Sequence, residues 1–279
     1  MQCFFIKHMT TEIISSRAPE RRQRVQSAET GMAILKALAR LGGAASLTAV
    51  AAAVGENTAK AHRYMASLMQ EGLVAQDAAT QRYYLGTEAI QIGLAALRQC
   101  DPVRLGEQAL VRLREELEVT CFIAVMGNKG PTILRFEEPG LPVTINVRTG
   151  SVLPTLWSAT GRVFLGYLDD AALRQQAEEE WQVGTPEQRA SLAERDPIGS
   201  LRDTVRASGM ATIRDTLLRG VSAVAAPIFD HTGKVCAALT ALGAASAFDT
   251  AASGAVASAV TRESRAISAA LGYRAGATA

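Results

Sequence analysis

The sequence predicts an α+β protein in two parts, a helical part in front and a mixed α/β part behind. Three observations carry this prediction. Apolar residues recur at helical spacing up to about residue 99, strand-like runs alternate with helices from about residue 101, and a break falls at Cys100-Asp101-Pro102. A chain of 279 residues is also long enough for two domains of ordinary size.

Composition excludes several protein classes. Apolar residues make up 48% and charged residues 20% of the chain, which is far from the composition of disordered, collagen-like or disulfide-scaffold proteins. The apolar runs are shorter than the roughly 18 residues that a membrane helix needs. The first residues do not form a secretory signal, so we expect a cytoplasmic protein.

The net charge of +2 hides an uneven distribution. Residues 1–100 carry 11 Lys and Arg against 7 Asp and Glu, whereas residues 101–279 carry 18 against 20. The basic excess therefore lies in the front part, as is typical of a part that meets phosphate groups. Residues 1–26 are polar and aperiodic and include four arginines between Arg17 and Arg24, so we predict a disordered basic leader there.

Three helices are predicted after the leader. Apolar residues spaced three and four apart define a first helix over about 27–41, which Gly42-Gly43 ends. Ser46 can cap a short second helix that runs to Gly55. A turn through Glu56 and Asn57 leads to a third helix that Gly72 ends. A packing helix followed by two short helices and a tight turn is the pattern of a helix-turn-helix.

A hairpin and one more helix follow. Two short strand-like runs, 73–76 and 82–85, flank a turn-rich loop, and a hairpin directly after a helix-turn-helix is a wing. We therefore predict a winged helix-turn-helix over residues 27–86. Residues 87–100 return to helical spacing as a linker helix that is apolar on most sides, so it must be covered by a partner domain or a second subunit.

The second part, residues 101–279, begins with Asp101 as a helix cap and Pro102 at the first helical position. Strands are expected at both ends of this part, with helices between and outside them, which gives an α+β sheet domain. The expected strands are 119–126, 132–138, 143–147, 221–229 and 235–242, the helical region is roughly 158–208, and the last helix is about 249–271.

The third helix has a face that suits DNA. Turning its apolar stripe inward leaves Ala59, Arg63 and Ala66 pointing outward, and small side chains let a helix lie deep in the major groove. Arg63 is the strongest candidate for a base or phosphate contact. A solvated helix with ordinary surface charges is the alternative for this helix alone, but three helices and a wing in tandem favour DNA binding. The candidate contacts are Asn57, Thr58, Ala59, Lys60, His62 and Arg63 on the helix, with Arg82 and Tyr84 on the wing.

At this point the sequence resembles the IclR-type transcriptional regulators. The resemblance covers residues 27–272 and rests on motifs in both parts, in the same order as in that family. They are Ser46-Leu47-Thr48, Ala61-His62-Arg63, Gly72-Leu73-Val74, Arg82-Tyr83-Tyr84-Leu85-Gly86 and Ile92-Gly93 in front, and Ser158-Ala159-Thr160-Gly161-Arg162 and Ala223-Val224-Ala225-Ala226-Pro227-Ile228-Phe229-Asp230 behind.

The resemblance implies a GAF-like effector-binding domain over 101–279 and a homodimer or homotetramer that binds double-stranded operator DNA. It implies a ligand pocket at the start of the helix after Ser158, where the backbone N–H groups of Thr160 and Gly161 would be free to receive a carboxylate. The alternative is that Ser158 only caps a structural helix. The implied effector residues are Trp157, Ala159, Thr160, Gly161, Ile213, Leu217, Ala223, Thr240 and Leu242.

The chain also departs from the family pattern. Ile213 and Thr216 stand where relatives usually carry acidic or serine and glutamate residues, and Ala223 stands where cysteine is frequent. Thr240 and Leu242 replace serines of relatives that sense very small acids. Because unpaired polar groups in a buried pocket are costly, the apolar replacements favour a larger aromatic or branched organic acid. The candidate carboxylate partners are Arg148, Arg162 and Arg214.

Enzyme chemistry has little support. The sequence holds no nucleophile elbow, phosphate-binding loop, dinucleotide-binding turn or zinc-protease helix. The histidines are His8, His62 and His231, and the four cysteines are widely spaced, so we expect neither a metal nor another cofactor. The expected function is a ligand-responsive regulator of catabolic genes. The alternative is an enzyme or sensor whose winged helix contacts another protein.

Overall fold

The computed structural model describes residues 25–140, 147–193 and 195–275. The chain divides between Leu97 and Arg98 into two compact units, which are described separately. The α+β prediction is confirmed. Residues 1–24 of the predicted leader and all of the predicted strand 143–147 except Val147 lie outside the described residues. In the described ranges, the helices are too short or too polar to cross a membrane.

The first unit packs three helices around a small core. Ile34 and Leu38 of the first helix are fully buried, and they meet Met65 and Leu68 of the third helix in one apolar cluster. Helical spacing of these residues is what allows each helix to turn a single face inward. The helices are α1 (Gln26–Arg40), α2 (Leu47–Val54) and α3 (Thr58–Gln70).

The wing is a three-stranded antiparallel sheet in the order β1-β3-β2. The two strands of the hairpin are β2 (Val74–Gln76) and β3 (Tyr83–Leu85), and β1 (Ala44–Ala45) pairs with β3. The sequence analysis missed β1, because two alanines after a glycine pair carry no strand signal and only pairing with β3 makes them a strand. The predicted run 82–85 included Arg82, but β3 begins only at Tyr83.

The helix after the wing is α4 (Thr87–Leu97), which ends three residues before the predicted end of the linker helix at residue 100. Not one of its residues is buried. Ile90 and Ile92 are 57% and 61% exposed, and Leu94 and Leu97 are also exposed. A helix that exposes this much apolar surface lacks the burial that stabilises other helices of the chain.

The second unit contains a five-stranded antiparallel sheet in the order β5-β4-β8-β7-β6. Successive residues of a strand point to opposite faces, so each of the inner strands contributes to two separate cores. The strands are β4 (Thr120–Gly127), β5 (Gly130–Glu137), β6 (Ala211–Arg214), β7 (Val221–Phe229) and β8 (Val235–Ala244). Strand β6 was not predicted, because the sequence placed only the end of a helix near it.

Helices cover both faces of this sheet. On one face, Val224 and Leu239 pack against α5 (Pro102–Leu117) and α10 (Ala255–Ala270). On the other face, Phe122 and Ala238 belong to the core that contains α6 (Ala159–Tyr167), α7 (Ala171–Val183) and α9 (Pro197–Ser208). The remaining short helix is α8 (Pro186–Ala190).

The prediction that the last helix begins at Asp249 is wrong. Asp249 instead accepts a hydrogen bond from the backbone N–H of Ala251, 2.8 Å away, in a turn before α10. This side chain competes with the helix for backbone donors, as aspartate commonly does in turns. Helix α10 begins only after Gly254.

A buried carboxylate joins α5 to α10. Glu263 is 6% exposed, and its Oε2 accepts hydrogen bonds from Nη2 and Nε of Arg112 at 2.7 and 3.2 Å. Nε of Arg262 donates to Oε1 at 3.2 Å. Burial alone would raise the pKa of Glu263, but the hydrogen bonds and positive charges of Arg112 and Arg262 outweigh it and lower the pKa.

The start of α6 lies against the preceding backbone. Ser158 accepts a hydrogen bond from the N–H of Gly161 at 2.9 Å and donates to the carbonyl of Pro154 at 2.6 Å. A Cβ atom at position 161 would collide with the carbonyl oxygens of Pro154 and Thr155. Glycine is therefore required here for close packing and not for an unusual backbone angle.

Replacing Gly161 with alanine should lower the free energy of unfolding by about 1–3 kcal/mol, because α6 must move away from the 154–155 backbone. Denaturant unfolding would measure the loss. Gly140→Ala is the matched control, since a Cβ there meets no atom within 4 Å, and it should change stability by less than about 0.5 kcal/mol. Equal effects of the two substitutions would contradict the close approach.

Replacing Glu263 with glutamine should lower the free energy of unfolding at neutral pH by about 1–2 kcal/mol, because the three hydrogen bonds from Arg112 and Arg262 lose the negative charge that strengthens them. The folded-state pKa is depressed, so this stabilisation exists above the unfolded pKa and disappears as the pH falls through the folded pKa. The difference between wild type and variant should therefore shrink below about pH 4. Denaturant titrations across pH would test this, and a difference that stays constant would contradict it. Glu116→Gln, at an exposed pair with Arg262, should cost under about 0.5 kcal/mol.

Candidate functional site

Helix α3 presents one apolar and one solvent-facing side, as its periodicity predicts. Ala61, Met65 and Leu68 are buried in the first unit. Met69 lies at the edge of this apolar side and is 38% exposed. The outward side is formed by Thr58, Ala59, His62, Arg63, Ala66, Ser67 and Gln70.

The turn between α2 and α3 is held by caps at both ends. Gly55 adopts a left-handed conformation with φ of 69° and closes α2. The side-chain oxygen of Asn57 accepts a hydrogen bond from the N–H of Lys60 at 2.7 Å and starts α3. Since the oxygen is used by the cap, Asn57 can offer a ligand only its amide NH₂ group.

The charged residues of α3 differ in their availability. Nζ of Lys60 lies 2.7 Å from Oε1 of Glu56, so this lysine is already neutralised by a partner one turn earlier. Arg63 is exposed and takes part in no ion pair among the described residues. Arg63 is therefore the more available cation on the outward side of α3.

The wing presents Tyr84 and not Arg82 as its freest side chain. Nη2 of Arg82 donates to the carbonyl of Ala44 at 2.7 Å and so ties β1 to the hairpin. Tyr84 is 43% exposed, whereas its neighbour Tyr83 is buried in the core of the first unit. In the wing turn, the N–H and hydroxyl of Thr80 bond to the carboxylate of Asp77 and lower its pKa.

A small apolar cavity lies between the start of α6 and the sheet. Seven of the nine predicted effector residues line it, namely Ala159, Thr160, Ile213, Leu217, Ala223, Thr240 and Leu242. Strand register explains their convergence: Ile213 lies opposite Ala223 on β7, and Ala223 lies opposite Leu242 on β8. Paired residues of neighbouring strands point to the same face of a sheet.

Six further wall residues were missed by the sequence analysis. Phe122 lies opposite Thr240 in the sheet, so strand alternation around the predicted β4 was a usable signal. The others come from loops or strand ends whose side-chain directions no periodicity reports. The full set of missed residues is Phe122, Val147, Leu153, Ser158, Leu218 and Val221.

Two predicted effector residues do not line the cavity. Trp157 stacks on Trp181 with ring centroids 6.2 Å apart, and its Nε1 donates to the carbonyl of Glu180. Gly161 lies against residues 154–155, and its N–H bonds to Ser158. The expectation of a free N–H at Gly161 is therefore wrong, because Ser158 uses that donor for the cap.

One hydrogen bond crosses the cavity wall. The hydroxyl oxygens of Thr160 on α6 and Thr240 on β8 lie 2.9 Å apart, and both residues are buried. The pair has two hydroxyl hydrogens and uses one of them for this bond. The second hydrogen is a donor for an acceptor atom that enters an otherwise apolar space.

The three candidate arginines all lie outside the wall of this cavity. Arg148 donates to the carbonyl of Val147 at 2.8 Å and lies over the ring of Phe136. Arg162 lines a separate pocket. Arg214 lines an open pocket of about 420 Å³ that shares Leu217 with the cavity, so Leu217 lies between the apolar space and a wall that carries both arginines and acids.

The cavity has a volume of about 40 Å³, well below the roughly 300–1,000 Å³ of pockets that hold drug-sized ligands. It exceeds the roughly 10–15 Å³ that one water molecule needs. A ligand larger than a few water molecules can therefore enter only if the walls move. Leu217 and Leu218 belong to the segment between β6 and β7, which is one of the parts of the wall outside regular secondary structure.

Comparison with known proteins matches both units. The family model for the IclR helix-turn-helix domain matches residues 27–78, and the model for the C-terminal domain of bacterial IclR transcriptional regulators matches residues 94–269. The crystal structure of HmgR from Pseudomonas aeruginosa is 41% identical, covers 90% of this chain and 100% of its own, and superposes with a TM-score of 0.82.

More distant relatives agree. The glycerol operon regulatory protein of Streptomyces coelicolor is 29% identical over 218 residues, which are 75% of this chain and 81% of that protein. An IclR homologue from Microbacterium hydrocarbonoxydans, crystallised with 4-hydroxybenzoate, shares the fold at 17% identity and a TM-score of 0.51, covering 86% of this chain and 98% of its own. These relatives are transcriptional regulators and not enzymes, so the enzyme alternative is not supported. With both family models together covering most of its length, the chain belongs to the IclR family of DNA-binding bacterial transcriptional regulators.

Proposed function

We propose that this regulator controls catabolic genes in response to an aromatic or branched organic acid bound in the apolar cavity. The observation that carries the proposal is the cavity wall, in which Thr160 and Thr240 form the one polar pair opposite apolar side chains such as Ile213 and Leu242. Such a wall suits an apolar body with one polar end. A pyruvate-sized acid would bring too little apolar surface to offset the loss of its hydration.

The carboxylate can be held in either of two ways. In the first, the hydroxyl pair and the N–H groups of Ala159 and Thr160 receive it inside the cavity, beside the positive end of the helix dipole, while the N–H of Gly161 stays bonded to Ser158. Alternatively, the carboxylate could face outward past Leu217 toward Arg214, since Leu217 belongs to both walls. The relative from Microbacterium hydrocarbonoxydans supports an aromatic acid as the effector, because it was crystallised with 4-hydroxybenzoate.

The outward side of α3 is proposed to enter the major groove of operator DNA. Arg63 would contact a base edge or a phosphate, while Ala59 and Ala66 allow close approach. Asn57, Thr58 and His62 would contact phosphates beside them, Lys60 would do so only by leaving Glu56, and Tyr84 and the outer edge of Arg82 would meet the backbone. This assigns the basic front of the chain to DNA and the second unit, GAF-like by resemblance, to the effector.

A homodimer or homotetramer is proposed as the active form, working in the cytoplasm. The support is α4, whose four exposed apolar side chains need a cover that the described residues do not provide. A second copy would also place two recognition helices on one operator. A ligand can alter DNA binding only by favouring one arrangement of such an assembly over another.

Replacing Arg63 with alanine should weaken binding to the DNA upstream of the protein's own gene by about tenfold or more, the usual range for one base or phosphate contact. Titration of labelled DNA at several salt concentrations would measure affinity and salt slope. Arg40→Ala removes an exposed arginine from the end of α1 and should leave affinity nearly unchanged. Unchanged affinity in the Arg63 variant, with an unchanged melting temperature, would remove our main DNA contact.

Replacing Thr240 with valine should weaken binding of aromatic acids about tenfold, because the hydroxyl pair loses its donor to the ligand. Replacing Ala223 with leucine should abolish binding by filling the cavity. Isothermal titration with 4-hydroxybenzoate, a branched aliphatic acid and pyruvate would measure both effects. Ser222→Ala is the matched control, since this buried hydroxyl lies next to Ala223 but not in the cavity wall. Tight binding of pyruvate alone would contradict the proposed effector class.

A further inference from the structure

Helix α6 carries a buried arginine that the effector cavity does not use. Arg162 is 7% exposed. Its Nε donates to the carbonyl of Leu156 at 2.9 Å, and its Nη1 donates to the carbonyl of Thr212 at 3.2 Å. Its Nη2 is buried and has no hydrogen-bond partner among the described residues. A guanidinium with an unsatisfied donor is costly unless a further acceptor reaches it.

The charge of Arg162 is also uncompensated. The ion pairs formed among the described residues do not include it. Burial lowers the pKa of Arg162 to about 10, so the side chain remains a cation at neutral pH. A buried cation held only by neutral carbonyl groups lacks the partner that normally offsets its desolvation.

Arg202 shows what a compensated arginine looks like in the same part of the fold. It lies on α9 and is 6% exposed, as deeply buried as Arg162. Its Nη2 lies 3.5 Å from Oδ1 of Asp169, so a carboxylate of the protein itself balances its charge. Nη1 of Arg202 is likewise buried without a hydrogen-bond partner, so an unsatisfied donor is common to both arginines. The two differ in charge compensation: Arg162 has no acid beside it among the described residues, and this difference points to a missing anion.

The pocket beside Arg162 has room for that anion. It has a volume of about 380 Å³ and lies between α6, α9, β6 and the segments that flank them. Thr212, whose carbonyl accepts from Nη1, is itself a wall residue, so the guanidinium end of Arg162 reaches the wall. Thr212 and Thr250 both line this pocket, and their hydroxyl groups make no hydrogen bond among the described residues. The described wall contains no acidic residue.

The Arg162 pocket is separate from the effector cavity. The two share no wall residue. Thr160 lines the cavity and Arg162 lines the pocket. Residues two apart in an α-helix are rotated by about 200° around its axis, so the two side chains leave α6 on nearly opposite sides. The same separation occurs on β6, where Ile213 lines the cavity and Thr212 lines the pocket, because neighbouring strand residues point to opposite sides.

We propose that the Arg162 pocket is a second ligand site, which binds a small oxyanion through Arg162 and the hydroxyls of Thr212 and Thr250. A carboxylate and a phosphate share the required chemistry, which is a negatively charged oxygen that accepts from a guanidinium nitrogen. Because the pocket and the cavity lie on two sides of α6, an anion in the pocket would hold α6 in place independently of the effector.

Isothermal titration of the full chain with inorganic phosphate and with acetate, at constant ionic strength, tests this proposal. We expect saturable binding of at least one of the two anions. The anion that saturates identifies whether the site takes a carboxylate or a phosphate. Arg162→Gln should abolish the binding, and Thr212→Val should weaken it about three- to tenfold while keeping the carbonyl that accepts from Arg162. Arg202→Gln should leave it unchanged.

Two controls keep the test decisive. If Arg162→Gln does not fold, the comparison of Thr212→Val with Arg202→Gln decides, since both keep Arg162. Ala223→Leu closes the effector cavity and should leave oxyanion binding unchanged, which separates the two sites. Absence of saturable binding of both anions to the wild type, or equal weakening by the Thr212 and Arg202 variants, would overturn the proposal.

Discussion

The close contact between the start of α6 and the backbone at residues 154–155 is the constraint on which the second unit depends. Only glycine fits at position 161, and Ser158 then ties the same turn to the carbonyl of Pro154. With this end fixed, the helix can rotate very little. Thr160 is directed at the sheet and Arg162 at the opposite side, so one packing contact determines what each of two pockets contains.

Strands of the sheet form the wall of the cavity that lies opposite α6. The side chains of β7 and β8 point alternately to the two faces of the sheet. One set packs on α5 and α10, and the other set faces α6. Ala223 leaves space where a larger side chain would fill the cavity. The salt-bridged Glu263 holds α10 on the far face, which keeps the sheet in position without occupying the ligand side.

In the first unit, the proposed functional surface is the side of α3 that does not pack against the core. The core of Ile34, Leu38 and Met65 orients α3, and the caps at Gly55 and Asn57 fix where that helix begins. Arg63 is left exposed and unpaired among the described residues, whereas Lys60 and Arg82 are partly engaged within the unit. A rigid scaffold with a free outer side is what groove recognition requires.

Local patterns in the sequence were enough to predict the fold class, the three front helices and the wing, and the family resemblance added seven of the thirteen residues that line the cavity. Helical and strand periodicity report which side chains point inward, and caps such as Ser46, Asn57 and Asp101 mark helix starts locally. Only the tertiary structure decided the rest. Strand β1 exists because it pairs with β3, and Trp157 lies outside the cavity wall because it stacks on Trp181. Gly161 is needed for packing because the backbone six and seven residues earlier lies against it. These outcomes depend on contacts between segments, which no local pattern of residues encodes.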